Sequence, residues 1–407
     1  MSDVELRPLR AEDIEQAAYV EAVAFYGRPT PERTELMRRH LPPDWTVGAF
    51  VDGRLVADVR TMPTARRING ASIRFGAVGP VACLAEHRRQ GYVARLLRLS
   101  LERMREQGIP LSGLHTPHDD LYRRYGWERA EGNKRYDFRA KDVSLRLRGQ
   151  AGTLEPVKGD DWQRLDAVYT RYAEPRNGPL HRPEPWWREM ILYDHFRNRP
   201  RDAFLWLDER GEPQGYIVHV PVPSRPDPHG EPDDHDLFVR DMVSLTPDAY
   251  LGLWQHLLVH DIAQRIIVFV PSHDPFADLV VDPWKVEVGR SQGAMIRVVD
   301  IEQALTQRPY CGRGAVSFTM RVVDHSAPWN DGVWRVEASK GRMQAERTDA
   351  DPDLELGVNF LAPLFTGFIR ADQAADAGTL KVNRKEALPQ AQEAFAVTHP
   401  PYCNDWY

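Results

Sequence analysis

The residues best equipped for chemistry lie between Ala77 and Trp127. The apolar run Ala77-Val78-Gly79-Pro80-Val81-Ala82-Cys83-Leu84 leads into His87-Arg88-Arg89-Gln90-Gly91-Tyr92-Val93-Ala94. Leu96, Leu97, Leu99, Leu101 and Met104 then mark an amphipathic helix. A strand, a basic turn with one glycine and a helix N-terminus together make an anion site. The glycine admits backbone N–H groups to a diphosphate, the helix end adds partial positive charge, and the arginines add formal charge. An Arg-Arg-x-Gly turn alone is a weak signal, because basic loops often precede helices. It gains weight from Leu121-Tyr122-Arg123-Arg124-Tyr125-Gly126-Trp127 downstream, which sets a phenol on a short helix.

Other groups are less telling. His115 and His118 precede the Tyr122 helix and serve equally well as acceptor-site lining or as structural hydrogen-bonders. Cys83 and Cys403 show no activating partner in the sequence and read as inert. Glu21 and Asp405 could attract a cationic amine, although exposed carboxylates are common. Trp186-Trp187 reads as a packing anchor.

The elements that would position these residues fall into three segments. In residues 1–150, Val4 to Leu9 reads as a strand and Ala11 onward as a helix. Thr46 to Val51 and Leu55 to Val59 flank Asp52-Gly53, a strong hairpin signal. Ile73 to Leu84 reads as a strand, Arg89 to Arg105 as a helix and Pro110 to His115 as a strand. Lys134 to Arg139 is expected to close this segment. Residues 151–292 repeat the pattern: Ala203 to Leu207 with Gln214 to Val220 as a hairpin, Phe238 to Leu245 as a strand, and a helix from Pro247. The corresponding turn, Thr246-Pro247-Asp248-Ala249, has neither Arg-Arg nor Gly, and an acidic residue there repels a diphosphate. Pro221 to Pro232 reads as a long exposed loop. In residues 293–407, Ala294 to Asp300, Ala315 to Val323 and Gly332 to Ala338 read as strands. Ile301 to Gln307 and Ala387 to Phe395 read as helices, and Val358 to Leu364 continues apolar. The final six residues carry three aromatics, unlike a frayed terminus. The fold class is α+β.

Bulk properties exclude several alternatives. The 407 residues exceed one ordinary core. No apolar run approaches the ~18 residues of a membrane span, and Met1 to Glu5 do not open a secretory signal. Three cysteines without a CxxC pair exclude a disulfide framework and fit a reducing cytoplasm. Fourteen histidines without HExxH spacing lead to the expectation of no metal. A net charge of −6 argues against nucleic acid and suits cationic small molecules.

The basic turn and the Tyr122 segment together resemble the GNAT acyltransferases. Over the whole chain, the order of segments resembles the enhanced-intracellular-survival (Eis) acetyltransferases of bacteria: an active GNAT domain, a degenerate GNAT domain and a sterol-carrier-protein-like domain. The resemblance rests on Val81-Ala82-Cys83, His87 to Gly91, Tyr122 with Gly126-Trp127, and the aromatic C-terminus. It implies tandem GNAT domains of mixed sheet flanked by helices, acetyl-CoA as cosubstrate, and a small amine acceptor (polyamine- or aminoglycoside-like, with lysine second). By position it implies Tyr122 as general acid and Tyr407, through its terminal carboxylate, as general base. Val81, Ala82 and Cys83 would pair with the pantetheine arm. Arg88, Arg89, Gln90, Gly91, Tyr92, Val93 and Ala94 would hold the diphosphate, and Pro117 and His118 would touch the cofactor. Trimeric or hexameric assembly follows from the same resemblance. Gln90 stands where a third arginine is common, and Pro80 and Tyr26 alter the acceptor side. A terminal carboxylate of pKa about 3.5 is a poor base in water, so burial among Tyr402, Trp406 and Tyr407, or a water relay, would have to assist it. A longer acyl-CoA, or a non-catalytic apolar-ligand role for the third domain, are the alternatives.

Overall fold

The computed structural model describes residues 3–40, 45–149, 152–158, 161–194, 199–224 and 235–407. The chain divides into two units. The first comprises Met1–Ala130, Ala294–Thr398 and Tyr407; the second comprises Glu131–Gly293 and His399–Trp406.

The first unit is built on strands β1 (Val4–Pro8), β2 (Thr46–Val51), β3 (Arg54–Ile68), β4 (Ala71–Cys83), β5 (Leu111–Leu114) and β6 (Glu128–Arg129). They run in sequence order across the sheet, except that Met295–Val298 lies between β5 and β6. Asp52 and Gly53 both have positive φ, 49° and 79°, as the tight hairpin turn between β2 and β3 requires. Helices α1 (Ile14–Ala24) and α2 (Pro31–His40) follow β1, while α3 (Tyr92–Glu106) and the short α4 (Asp119–Arg123) follow β4 and β5. One face of the sheet buries Ile14, Ala17 and Val20 of α1 with Phe50, Leu55 and Ala82. The other buries Leu96, Leu97, Leu101 and Met104 of α3 with Val47, Val59, Val78 and Leu114. The i, i+4 and i+8 spacing of Leu97, Leu101 and Arg105 shows where that apolar stripe ends and the charged face begins.

Two irregularities shape β4. Val59 faces Val81 and Thr61 faces Val78, so Gly79 and Pro80 together oppose Arg60 in a β-bulge. Parallel pairing with β5 covers only Phe75–Ala77 against Leu111–Gly113. Among the described residues no strand lies beside that edge of β4 from Val78 to Cys83, so its backbone groups there are left for another partner.

The second unit contains β7 (Gly132–Phe138), β8 (Thr153–Pro156), the short pair β9 (Tyr193–Asp194) and β10 (Arg199–Pro200), β11 (Asp202–Leu207), β12 (Pro213–Pro223), β13 (His235–Ser244), β14 (Ile266–Pro271) and β15 (Glu287–Gln292). Its main sheet has the order β15-β7-β14-β13-β12-β11-β8. Helices α5 (Trp162–Ala173), α6 (Pro247–Leu258) and α7 (Phe276–Leu279) complete it. The Trp254 and Phe276 rings stack at 3.6 Å between centroids, with Tyr136 and Phe138 beside them. Trp187 is fully buried against Tyr169 and Tyr216, the anchor its neighbourhood suggested.

Two strands sit elsewhere than expected. Lys134 to Phe138 does not close the first sheet; as β7 it pairs with β14 and β15, because Tyr136 and Phe138 bury into the Trp254 cluster. Met295–Val298 (β16 in chain order) completes the first sheet instead. Part of the expected loop from Pro221 to Pro232 forms the end of β12, and its residues from 225 onward lie outside the described residues.

The remainder of the first unit is a five-stranded sheet. It contains β17 (Val316–Val323), β18 (Gly332–Ser339), β19 (Arg342–Arg347), β20 (Leu354–Gly357) and β21 (Lys381–Val382), in the order β19-β18-β17-β20-β21. Helices α8 (Ile301–Gln307), α9 (Val358–Thr366), α10 (Ala371–Asp376) and α11 (Ala387–Ala394) accompany it. The apolar stretch after Val358 is a helix, burying Leu361, Leu364 and Phe365.

Candidate active site

The basic turn is shaped by backbone conformation. Arg89 and Gly91 both adopt positive φ, 63° and 82°, so α3 begins at Tyr92, three residues later than the sequence suggests. No side chain caps this helix, leaving its first N–H groups for an external acceptor. A Cβ at Gly91 would meet no atom within 4 Å; glycine is needed there for conformation, and the space above the turn is open. Arg88 is partly committed, its Nε donating to Cys83 O at 3.2 Å and its Nη2 to Ala24 O at 3.3 Å. Gln90 donates to Glu86 O and accepts from the Tyr92 hydroxyl, bracing the turn from both sides. Arg89 is exposed and makes no hydrogen bond or ion pair among the described residues.

The corresponding turn in the second unit is built differently. At the start of α6, Thr246 accepts from Ala249 N through its own side chain at 3.2 Å, and Pro247 supplies no N–H. At α6 one of the first N–H donors is thus capped by a side chain and another is missing.

Tyr122 lies on α4, 8% exposed, its ring edge-on to Trp127 at 6.4 Å. Burial pushes its phenol up to about 12, and its hydroxyl has no hydrogen-bond partner among the described residues. Gly126 explains the tight turn that follows: φ is +87°, and an added Cβ would lie 1.5 Å from Arg297 Nη1. Arg297 is a fully buried β16 residue, ion-paired with Asp324 at 2.7 Å and lying over the Trp127 ring. Asp324 also accepts from Ser326 N, Ala327 N and Asn330 Nδ2. The third segment thus props up the turn that carries Tyr122. Pro117 and His118 lie exposed at the start of α4, His118 N donating to Thr116 Oγ1.

Tyr407 occupies the gap beside the bulge. Its main-chain carbonyl carbon lies 3.4 Å from the point where a Cβ on Gly79 would stand, and its hydroxyl 2.9 Å from the equivalent point on Gly113. Its ring meets Phe75 at 6.2 Å and His115 at 5.0 Å, both edge-on. The rings around the chain end are therefore Phe75 and His115. Trp406 is exposed, and Tyr402 donates to Phe269 O in the second unit. Asp405 does not meet solvent cations: fully buried in the second unit, it accepts from Arg182 Nε and Trp186 Nε1, each at 3.0 Å.

Sequence reasoning overlooked Asp58. It faces Ala82 across β3 and β4, is fully buried, and neither carboxylate oxygen has a hydrogen-bond partner among the described residues. Desolvation, and then the charge of Glu21, raises its pKa well above the usual carboxylate range. Glu21 is itself buried and ion-paired with Arg60, so it is not the exposed carboxylate expected. The only available signal was an aspartate within an apolar strand. Cys83 is half-buried, and burial raises its thiol pKa, in keeping with an inert role.

The uncapped helix, the basic turn, the open strand edge and the bulge all lie within residues that an acetyltransferase (GNAT) domain model matches. The acetyltransferase (GNAT) family models match residues 5–130 and 178–298, and a sterol carrier protein domain matches residues 301–404. The chain is an acetyltransferase of this GNAT class, homologous to the Eis N-acetyltransferases. It is 26% identical to N-acetyltransferase Eis of Mycobacterium tuberculosis over 93% of each chain. It is 28% identical to an uncharacterised N-acetyltransferase of Streptomyces coelicolor, covering 93% of this chain and 94% of that one. The crystal structure of Eis1 from Mycobacterium abscessus shares the fold over the full length of both chains, with a TM-score of 0.82 at 23% identity.

Proposed function

We propose that the chain transfers the acetyl group of acetyl-CoA to the amine of a small cationic acceptor, polyamine- or aminoglycoside-like. The observation that carries this reading is Tyr407 lodged against Gly79, beside a strand edge from Val78 to Cys83 that has no strand partner among the described residues. When bound, acetyl-CoA supplies an activated thioester carbonyl and a thiolate leaving group. Arg89 and the N–H groups from Gly91 to Ala94 hold the diphosphate, with Arg88 and Gln90 bracing the turn. The backbone of Val81, Ala82 and Cys83 hydrogen-bonds the amide-bearing arm as a neighbouring strand would, and Pro117 and His118 line it. Tyr122 donates a proton to the departing sulfur. The Tyr407 carboxylate takes the proton from the acceptor nitrogen. The second unit binds no cofactor, since Thr246 and Pro247 occupy the helix start. Cytoplasmic residence, supported by three cysteines without a CxxC pair, and assembly into trimers or hexamers, supported by family likeness, belong to the same reading.

Calorimetric titration of acetyl-CoA into the full chain tests it. One equivalent per chain is expected; none, or two, would refute the assignment of one open and one closed turn. Adding a glycine after Tyr407 should abolish transfer while leaving that binding intact, and full activity would reject the carboxylate's role.

A further inference from the structure

Three histidines of the second unit converge away from the site just described. His219 projects from β12, His256 from α6, and His260 follows at the end of that helix, one turn beyond His256. Their ring nitrogens lie within 4.8 Å of one another. His256 Nε2 is 3.2 Å from His219 Nε2 and 3.5 Å from His260 Nε2. Phe204 of β11 walls the group, its ring 5.6 Å from that of His219 and 4.9 Å from that of His256.

Hydrogen bonding alone does not account for this geometry. A neutral imidazole nitrogen carries either one N–H or one in-plane lone pair. His256 Nε2 can therefore make one hydrogen bond, yet two other Nε2 atoms stand at contact distance from it. One of the two close approaches is left without an attractive partner. A central cation removes the conflict, because all three lone pairs can then point at it. Zinc bound by imidazole has Zn–N distances of about 2.0–2.1 Å in tetrahedral geometry, which sets ligand nitrogens about 3.3–3.4 Å apart. The two short separations bracket that value.

We propose that His219, His256 and His260 form a binding site for a divalent transition-metal ion of the zinc class. Three neutral nitrogen donors select zinc, cobalt, nickel or copper over magnesium or calcium, which require oxygen. His219 is buried, whereas His256 and His260 are half-exposed, so an ion can enter from solvent and keep water as its fourth ligand. The ion would fasten α6 to the middle of the second sheet. The sequence reading expected no metal because it sought HExxH; the i, i+4 pair in His256-Leu257-Leu258-Val259-His260 was the signal available.

The test is titration of chelator-treated, tag-free full-length protein with Co²⁺ and Zn²⁺. Calorimetry should give one ion per chain. Cobalt should develop the visible absorption of a tetrahedral nitrogen site, bleached by zinc. Zinc at about a hundredfold excess over its Kd should raise the unfolding temperature by roughly 5 °C. His260→Gln, at the solvent side of the cluster, should weaken binding by tenfold or more while the metal-free variant unfolds at the wild-type temperature. His219→Phe, which keeps an aromatic ring beside Phe204, should abolish the cobalt spectrum. Failure of the wild type to bind stoichiometrically, or wild-type affinity in His260→Gln, would overturn the proposal.

Discussion

Replacing Tyr122 by Phe isolates one oxygen atom. The ring can keep its edge-on contact with Trp127, and the lost hydroxyl has no hydrogen-bond partner among the described residues. The variant should therefore fold with a stability change within about 0.5 kcal/mol at neutral pH. Burial has moved the phenol from 10.0 to about 12, and two pKa units amount to about 3 kcal/mol in favour of the neutral acid. Tyr122 is thus fully protonated at any pH where the enzyme would work. It is also a weaker acid than a free phenol, so the proton moves to sulfur only as charge develops there. A positioned general acid contributes roughly 10²–10⁴ in rate. With thiol release from acetyl-CoA as the assay and spermidine as the acceptor, kcat should fall by ~10² or more, while the KM for acetyl-CoA stays nearly constant. The pKa is raised on folding, so the stability linked to it is present below pH 10 and is lost as pH rises towards 12. The Phe variant lacks that loss and should gain on the wild type in alkaline melts. A kcat close to that of the wild type would refute the acid role, whatever the melts show.

Three further outcomes follow from the geometry. Arg89→Ala removes a charge that serves no internal contact, so it should raise the KM for acetyl-CoA about tenfold to a hundredfold, the cost of a charge-assisted hydrogen bond, without changing the melting temperature; an unchanged KM would free Arg89 from the diphosphate. Gly126→Ala forces a Cβ into the Arg297 guanidinium at a positive φ and should cost about 2 kcal/mol or more, read as a lowered melting temperature together with lost activity. Asp405→Ala strips a buried partner from Arg182 and should destabilise the second unit by about 3–5 kcal/mol, visible in denaturant melts; a neutral effect would contradict the buried network.

What could be read in the sequence was local. Asp52-Gly53 specifies its own turn, and the stripe from Leu96 to Met104 specifies its own helix, because the deciding interactions lie within a few residues. The anion turn was legible for the same reason, apart from the conformation of Arg89, which delays the start of α3. Strand partners were not legible. Gly132–Phe138 and Met295–Val298 each have a clear strand pattern, but alternation carries no address and says nothing of which sheet will accept the strand. Arg297 and Asp58 were missed for a related reason. Both look like the polar member of an alternating pair, and only the assembled layers show that helices or loops cover that face.

The placement of Met295–Val298 bears on the order in which the molecule can be made. Every strand of the second unit's main sheet comes from residues 132–292, so that sheet can close on the ribosome before Met295 has emerged. Until then β5 waits with one edge uncovered, a surface prone to the wrong partner. Pairing of Leu114 with Met295 is among the most distant in the chain, and such contacts form slowly. A chaperone recruited during synthesis would therefore find its work at the acetyltransferase sheet, begun first and closed only after the second unit's sheet is complete.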